Sequence, residues 1–334
     1  MATVRMAGPD AVSLDHVAPD ALGALFERER GAWRHVLGWD SPASAETLTR
    51  AIEWGIVRGA ALVIAGRPLG YLLLQPGADE TRLCGVHLPD DLAPAAVTLI
   101  SRALAEVPAG SRLEGQLVAF DGQAALDAAF RHLGFAVEPR DFLELRALSG
   151  GHAAAPSRRH AAAPSRRHAA AAPSELARAM RIRELDPDDI DACADVLVAA
   201  HAGGVEARIN QAFRTRSAAT AYLREVIESG GCGRVRLEAS SVLRWRGRIA
   251  GFCVATTTSP GVGHVPQIAL DPAAQGQGLG SVLLARALDV LADDGCTRAT
   301  LSVSRANARA SAWYRRLGFR VIAPFASYHR DAPA

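Results

Sequence analysis

Residues 270–291 read LDPAAQGQGLGSVLLARALDVL and decide how the rest of the chain is interpreted. The apolar run at 265–270 predicts a strand, and apolar residues at 283, 284, 287, 288 and 291 predict an amphipathic helix. Between strand and helix lies the glycine loop, residues 275–280. Glycines before a helix N-terminus let backbone N–H groups converge on an anion. The loop is therefore a candidate phosphate or pyrophosphate site, with a plain turn as the alternative.

The chain length and composition indicate a soluble protein of more than one domain. At 334 residues, 49% of them hydrophobic, the chain is longer than one typical domain, so we expect two. The longest apolar stretch, residues 60–74, is interrupted by Arg67 and Pro68, and the first residues lack the apolar core of a signal peptide. We expect a cytoplasmic protein that does not engage a membrane. The sequence does not define an oligomeric state.

The five cysteines are far apart and form neither a Cys-x-x-Cys pair nor a regular Cys/His spacing. This pattern argues against a disulfide framework and against a structural zinc site, so we expect no metal. The net charge of +2 hides an acidic first part and a basic last part. The last part therefore tolerates a polyanionic ligand better than the first.

Two parts of the chain show the same order of predicted elements. Each is predicted as helix, helix, hairpin, strand, helix, strand, a helix ending in Leu-Gly-Phe, and a closing pair of strands. The Leu-Gly-Phe sequences at 133–135 and 317–319 align without a gap back to Arg102 and Arg286. The closing strands are predicted at 136–137 with 142–145, and at 320–322 with 325–329. We predict an α/β protein with mixed sheets, made of two tandem copies of one unit.

Residues 150–179 form the predicted linker between domains at 1–149 and 180–334. HAAAPSRR occurs at 152–159 and again at 160–167, and a third copy begins at His168. An eight-residue period is far below that of stacked repeat folds, and its composition offers little to bury. We predict a disordered, basic tether rich in Ala, Pro and Arg. The alternative is a nucleic-acid-binding arm, and the absence of interleaved aromatic residues argues against it.

Two motifs give the last part of the chain a family resemblance. The glycine loop fits the pattern Gln/Arg-x-x-Gly-x-Gly/Ala, and a downstream helix fits Asn-x-x-Ala-x-x-x-Tyr-x-x-x-Gly-Phe through Asn307, Ala310, Tyr314, Gly318 and Phe319. With these motifs, residues 180–330 resemble the GCN5-related N-acetyltransferase (GNAT) superfamily, and the shared element order extends the resemblance more weakly over 20–148. A dinucleotide-binding interpretation fits less well, because its third glycine would fall at Ser281.

The resemblance implies an acetyl-CoA-dependent N-acetyltransferase that acts on a primary amine of a small molecule by direct attack in a ternary complex. It implies acetyl-CoA contacts from Ile268, Ala269, Leu270, Gln275, Gly276, Gln277, Gly278, Leu279, Gly280, Ser281 and Asn307. A protein or peptide N-acetyltransferase and a non-catalytic acyl-CoA-binding regulator are the alternative functions.

The resemblance also implies that Tyr314 protonates the departing CoA thiolate. A thiol pKa of about 8.5 lies below a phenol pKa of about 10, so Tyr314 need only be correctly placed. Structural alternatives exist for each helix residue: Asn307 as an N-cap only, Tyr314 as a core tyrosine and Trp313 as a packing residue.

The general base departs from the family pattern. Many members place a glutamate on or near the fourth strand, but residues 264–270 read HVPQIAL and contain no carboxylate. The candidates are His264, Glu238 on the neighbouring strand and ordered water. We favour His264, although a lone histidine at a strand start is more often structural.

The first copy is expected to lack the chemistry of the second. In the alignment Phe130 stands in the place of Tyr314, and Gln123 in the place of Asn307. The glycine loop is replaced by Asp90-Asp91-Leu92-Ala93-Pro94, whose carboxylates repel a pyrophosphate and whose proline lacks a donor. We therefore expect this copy neither to catalyse nor to bind CoA in the usual way.

Overall fold

A computed structural model describes residues 9–40, 44–148, 180–228 and 232–332. The predicted linker and its repeat lie outside these residues. The chain divides into two compact units. The first unit comprises the residues up to Asp141 with Ser304–Ala306 and Ala323–Ala334, and the second comprises Phe142–Val303 and Asn307–Ile322. Each unit thus includes a segment from the other half of the sequence, and the limits at 149 and 180 stay predictions.

The first part of the chain forms four α-helices and six strands within its described residues. Their bounds are β1 Asp10–Ser13, α1 Pro19–Val36, α2 Ala45–Glu53, β2 Arg58–Ile64, β3 Arg67–Pro76, β4 Glu80–His87, α3 Ala96–Leu104, β5 Arg112–Leu117, α4 Gln123–His132 and β6 Ala136–Arg146. Helix α2 is bounded by Ser44, which caps its start, and by Gly55, which at φ +68° turns the chain just after its end.

The last part of the chain repeats this order with two additions, the short helix α6 and the short strand β8. The bounds are β7 Met180–Glu184, α5 Ile190–His201, α6 Val205–Ile209, α7 Arg216–Glu228, β8 Arg234–Val235, β9 Ser241–Trp245, β10 Arg248–Ser259, β11 Val262–Leu270, α8 Leu279–Asp293, β12 Arg298–Ser304, α9 Ala308–Arg316 and β13 Arg320–Arg330. Neither α6 nor β8 was predicted from the sequence, since both are too short for a periodic pattern.

Both units have mixed sheets. The strand order is β1-β2-β3-β4-β5-β13 in the first unit and β12-β11-β10-β9-β7 in the second, where β8 also pairs with β10. The pairings of β4 with β5 and of β11 with β12 are parallel. The C-terminal strand β13 runs antiparallel to β5, with Ala326 opposite Leu117. The predicted α/β class with mixed sheets is confirmed.

The prediction of two closing strand pairs is wrong, because each pair is one long strand, β6 or β13. A proline lies inside each strand, at Pro139 and Pro324, and proline removes one donor from a strand ladder. At Pro139 the carbonyl oxygen still accepts a hydrogen bond from the backbone N–H of Arg305 at 2.9 Å. A strand therefore continues through the proline.

Helices cover both faces of the sheet in the second unit. On the α8 face, Leu283, Leu284 and Leu288 pack with Val265 and Leu301. On the α5/α7 face, Leu197 and Leu223 pack with Phe252 and Val254. Burying each such leucine contributes about 1.5–3 kcal/mol. All five predicted core positions of α8 are buried, so its predicted amphipathic pattern is confirmed.

Among the helices in the described ranges, none combines the length and the apolar character needed to cross a membrane.

Candidate active site

The parallel strands β11 and β12 separate partway along their length. Their pairing runs from Val262–Arg298 to Val265–Leu301, although β11 continues to Leu270 and β12 to Ser304. A β-bulge accompanies the separation, because the register of β11 against β10 gains one residue between His264 and Gln267. The two strands are therefore splayed apart at residues 268–270.

The bulge changes which side chains point to each face of the sheet. Val265, Ile268 and Leu270 lie on the α8 face with the core of that helix. Ala269 lies on the α5/α7 face, and strand alternation places Gln267 on that face too. A regular strand would instead put residues 264, 266 and 268 together. The extra residue thus places Gln267 on the face opposite Val265, where a regular strand would put both on one face.

The glycine loop uses two residues in the left-handed region. Gly276 has φ +78° and Gly278 has φ +79°, and Gly278 is the N-cap of α8. Leu279 and Gly280 begin the helix, so their N–H groups have no acceptor one turn earlier in it. The loop is fixed by Gln275, whose amide donates to the Leu270 carbonyl oxygen at 3.1 Å and accepts from Arg309 at 3.1 Å. These donors and the helix dipole suit a bound pyrophosphate.

The remaining loop residues divide into packing and exposed positions. Leu279 and Gly280 are buried, and a Cβ on Gly280 would lie 3.1 Å from the Leu270 side chain. The hydroxyl of Ser281 accepts a hydrogen bond from the indole N–H of Trp313 at 3.1 Å. Gln277 is exposed and donates to the Ala273 carbonyl oxygen at 3.2 Å. Because its side chain is buried, Leu279 offers only its backbone to a ligand.

Helix α9 carries Asn307 and Tyr314. The side chain of Asn307 caps the helix by accepting a hydrogen bond from the Ala310 N–H at 3.0 Å. Tyr314 is buried and packs edge-on against Phe319, with 5.8 Å between ring centroids. Burial, and then the nearby Cys253 thiol, raise the pKa of Tyr314 above its usual range. Tyr314 thus stays protonated at neutral pH. It belongs to the buried cluster against which Ile268 packs.

His264 is enclosed by the sheet and the helices. Its side chain is 3% exposed, and its Nδ1 lies 3.0 Å from the Thr300 hydroxyl oxygen. Burial lowers the pKa of His264 to about 3. The imidazole is therefore neutral at physiological pH and is a weak proton acceptor.

Glu238, the second base candidate, lies in the segment between β8 and β9. It is exposed and contacts Arg236 at 3.7 Å, and Arg236 also contacts Asp294 at 2.8 Å. Asp294 is the C-cap of α8. Glu238 is thus next to the end of α8 that is opposite the glycine loop.

Two residues on the α5/α7 face were not singled out from the sequence. The hydroxyl of Tyr222 donates to Oε1 of Gln267 at 3.3 Å. Gln267 is 9% exposed. The sequence feature that could have drawn attention to Gln267 is Pro266, because a proline inside a strand interrupts the regular alternation of side chains in β11. Tyr222 carries no comparable signal, because its helix pattern is ordinary.

The first unit fills the equivalent region with its own chain. β4 and β5 also part, after Leu83–Gly115. Beyond them, the Gly122 N–H donates to the Leu88 carbonyl oxygen at 3.1 Å. The segment aligned with the glycine loop forms a 3₁₀ helix, Asp90–Ala95, with Pro94 inside it. Phe130 is fully buried and packs on Phe135 and Tyr328.

Gln123, aligned with Asn307, also has an internal role in the first unit. Its amide oxygen accepts from the Ala119 N–H at 2.9 Å, and its amide nitrogen donates to Tyr328 at 2.9 Å. Both ends of this side chain are therefore engaged within the unit.

A mixed sheet whose parallel strands open beside a glycine loop at a helix N-terminus defines the architecture of the GNAT fold. Residues 223–319 match the model of the acetyltransferase (GNAT) family. Both motifs that predicted this family lie within the matched residues.

Curated relatives match over a short part of the chain. A mycothiol acetyltransferase of Beutenbergia cavernae is 47% identical over 66 residues, which are 20% of this chain and 22% of that protein. A mycothiol acetyltransferase of Clavibacter michiganensis is 42% identical over 84 residues, or 25% of this chain and 27% of that protein. The chain thus matches about a quarter of the length of these relatives.

Solved structures are similar over nearly the whole chain. A GCN5-related N-acetyltransferase from Sphaerobacter thermophilus superposes with a TM-score of 0.59 at 15% identity, covering 97% of this chain and 96% of that one. A tandem GNAT protein from the clavulanic acid biosynthesis pathway gives a TM-score of 0.52 at 15% identity, covering 98% and 99%. At this identity the likeness shows the fold, and it includes the first half of the chain.

Proposed function

We propose that the second unit is an acetyl-CoA-dependent N-acetyltransferase that acetylates a primary amine of a small molecule. The observation that carries this proposal is the separation of β11 from β12 after Val265 and Leu301. The separation leaves backbone groups of β11 without a partner strand on that side, close to a helix N-terminus that suits a pyrophosphate. The match of residues 223–319 to the GNAT family supports the same function.

The residues present fit acetyl-CoA as a substrate. Backbone N–H groups of residues 276–280 would hold the pyrophosphate, and the backbone of Ile268, Ala269 and Leu270 would pair with the pantetheine arm. The same backbone N–H groups would stabilise the oxyanion that forms when the thioester is attacked. Asn307 would contribute indirectly, because its side chain caps α9 and fixes the start of that helix.

Tyr314 would supply the proton that the departing thiolate needs. Burial raises the pKa of Tyr314 and keeps its hydroxyl protonated. A thiolate whose thiol has a pKa of about 8.5 is a weaker base than a phenolate, so the transfer is uphill and depends on the hydroxyl lying next to the departing sulfur. Ile268 and Tyr314 belong to the same buried cluster. The acid is thereby held on the α8 face of the strand that would carry the thioester.

His264, the base that the sequence favours, is not suited to that role in the structure. A neutral imidazole with a pKa of about 3 and 3% exposure is poorly suited to removing a proton from an ammonium group. We propose that His264 holds the strands together through Thr300, and that the amine reacts in its neutral form, losing its proton to water. Both substrates held in one complex provide the rate advantage of proximity.

A small-molecule acceptor is proposed from the relatives, whose printed names are mycothiol acetyltransferases. The first unit is proposed to be non-catalytic, because Gly122 and Phe130 occupy the region that corresponds to the site in the second unit. It would serve to stabilise the protein or to shape access for the acceptor.

The proposal is tested by measuring CoA thiol release by the full chain with acetyl-CoA and a panel of amines, peptides and aminoglycosides. We expect turnover with a small amine, and a loss of about 10²-fold or more in kcat for Tyr314→Phe. Tyr328→Phe is the matched control, since Tyr328 is also buried but lies in the core of the first unit. Tight acetyl-CoA binding without turnover of any amine would instead identify a non-catalytic acyl-CoA-binding protein, and turnover of peptides alone would identify a protein acetyltransferase.

A further inference from the structure

Gln267 has the position and chemistry of an acceptor-contacting residue. It lies on β11 just past the point where the strands part, next to Ile268 but on the opposite face. Its Oε1 accepts from the Tyr222 hydroxyl at 3.3 Å, and its Nε2 donates to the Ile268 carbonyl oxygen at 3.4 Å. Both distances are long for hydrogen bonds. A better-placed donor can therefore displace them at small cost.

A row of aromatic rings leads along the α5/α7 face to Gln267. The rings of His201 and Phe213 stack at 4.5 Å with an interplanar angle of 16°. Phe213 meets Tyr222 edge-on at 5.8 Å and 82°. All three side chains come from the helical segments α5–α7, and Tyr222 and His201 are only partly buried. This aromatic row offers apolar surface to the body of a bound molecule.

The carboxylates on the helices near Gln267 contact an arginine or are exposed to solvent. Asp191 and Asp195 on α5 contact Arg216 at 3.7 and 3.4 Å. Glu225 on α7 is exposed and adds to the raised pKa of Cys232. The exception is Glu206 on α6, a buried carboxylate that the test below includes as an alternative base. On β11 itself the titratable group is His264, which is neutral.

We propose that Gln267 accepts a hydrogen bond from the N–H of an uncharged acceptor amine, and that this neutral site selects amines whose conjugate acids have a pKa near 8 or below. This inference rests on the proposed acetyltransferase function and narrows its substrate class. The amine nitrogen forms the C–N bond as the C–S bond breaks. One amine proton leaves to water, and the thiolate takes a proton from Tyr314, which water then restores.

The size of the selection follows from the neutral fraction of each amine. An α-amino group with a pKa of about 7.7–8 is roughly 10% neutral at pH 7, whereas a lysine ε-amine with a pKa of about 10.4 is roughly 0.04% neutral. A site without its own base therefore favours the α-amine by about 300-fold at pH 7 from ionisation alone. A carboxamide fits this chemistry, because it accepts from a neutral N–H without the charge that attracts ammonium ions.

The test is the pH dependence of kcat/KM for the full chain, with acetyl-CoA saturating. The probes are Nε-acetyl-lysinamide, with only its α-amine free, Nα-acetyl-lysinamide, with only its ε-amine free, and the fastest amine of the panel. For the wild type we expect a slope of one rising to the pKa of each amine. Gln267→Glu installs the missing base. The acidic limb of its pH profile of kcat/KM should therefore lie at lower pH than that of the wild type. Its kcat/KM for the ε-amine should rise about 10-fold or more at pH 7.

Matched variants separate this role from packing and from net charge. Gln116→Glu makes the same change at an exposed position on β5 of the first unit and should leave the profile unchanged. Gln267→Met keeps the side-chain length without the acceptor, and should raise KM for the amine about 10-fold while leaving KM for acetyl-CoA unchanged.

Three results would overturn the inference while leaving the acetyltransferase function intact. The first is a wild-type acidic limb well below the pKa of the amine, which would show that the enzyme has its own base. The second is a wild-type acidic limb in the kcat/KM profile that disappears in Glu206→Gln, which would assign the base to Glu206. The third is a Gln267→Glu profile identical to wild type. Absence of thiol release with every amine would instead overturn the proposed function and this inference with it.

Discussion

In the first unit, the backbone N–H of Gly122 donates to the carbonyl oxygen of Leu88 over 3.1 Å. This bond lies beyond the point where β4 and β5 part. The chain after β5 therefore satisfies the Leu88 carbonyl oxygen, which would otherwise be open to a ligand. In the second unit, β11 and β12 part in the same way next to the glycine loop.

Gly122→Ala should destabilise the first unit without changing acetyl-CoA binding. A Cβ at this position would lie 2.4 Å from the Leu88 carbonyl oxygen, so the loop must move and the hydrogen bond is lost. We expect the free energy of unfolding to fall by about 1–3 kcal/mol in chemical denaturation. Gly23→Ala, in open space on α1, is the control and should stabilise by up to about 1 kcal/mol. A changed dissociation constant for acetyl-CoA in Gly122→Ala would contradict the assignment of the ligand to the second unit.

Gly278→Ala should weaken acetyl-CoA binding more than it destabilises the fold. Gly278 has φ +79° at the N-cap of α8, where an alanine is strained by about 1 kcal/mol and shifts the N–H groups that face the pyrophosphate. We expect the dissociation constant from calorimetry to rise about 10-fold. Gly295→Ala is matched to it, since Gly295 has φ +85° and open space around its Cα but follows the other end of α8. Equal losses of binding in both variants would show that backbone strain, and not the loop, is responsible.

The glycine loop, α8 and the helix cap at Asn307 could be predicted from the sequence because they depend on local rules. Glycines, caps and helical periodicity act within one or two turns of the chain. The environment of His264 could not be predicted this way. Its burial and its contact with Thr300 depend on a strand 36 residues away, and these contacts remove its basicity.

The bulge in β11 shows the same limit. A regular strand would have placed Gln267 on the α8 face, and the extra residue places it on the α5/α7 face beside Tyr222. The long strands β6 and β13 were missed for a related reason. Their prolines are tolerated where partner groups from distant segments satisfy the backbone, as Arg305 does at Pro139.

Glu29 should make the protein less stable as the pH rises from about 4.5 to 7. Its carboxylate accepts hydrogen bonds from the Tyr71 hydroxyl and from the Trp33 indole, but burial raises its pKa from 4.5 to about 7. In this range the native state binds the proton that the unfolded state has lost, so the free energy of unfolding falls with pH. At about 1.4 kcal/mol per pH unit, the upper bound of this effect is about 3 kcal/mol.

Glu29→Gln should therefore be more stable than wild type at pH 8 and should lose this slope in chemical denaturation across pH 5–8. The amide can still accept from Trp33 and donate to the Tyr71 oxygen. Glu27→Gln is the control, because Glu27 is an exposed residue of the same helix paired with Arg30 at 2.8 Å. An unchanged slope in Glu29→Gln would assign the pH dependence to another group.

His264 should cause the opposite dependence on the acid side. Burial lowers its pKa from 6.5 to about 3, so between these values the unfolded state binds a proton that the native state does not. Stability is therefore lost as the pH falls below about 6.5, by about 1 kcal/mol for the first pH unit. His264→Gln should lose this contribution in denaturation curves at pH 4.5–7.5, whereas His35→Gln, at an exposed position on α1, should keep it. The same variant tests the base assignment, because a neutral His264 adds no limb to the pH profile of kcat/KM. A limb that is present in the wild type and absent in His264→Gln would restore His264 as the general base.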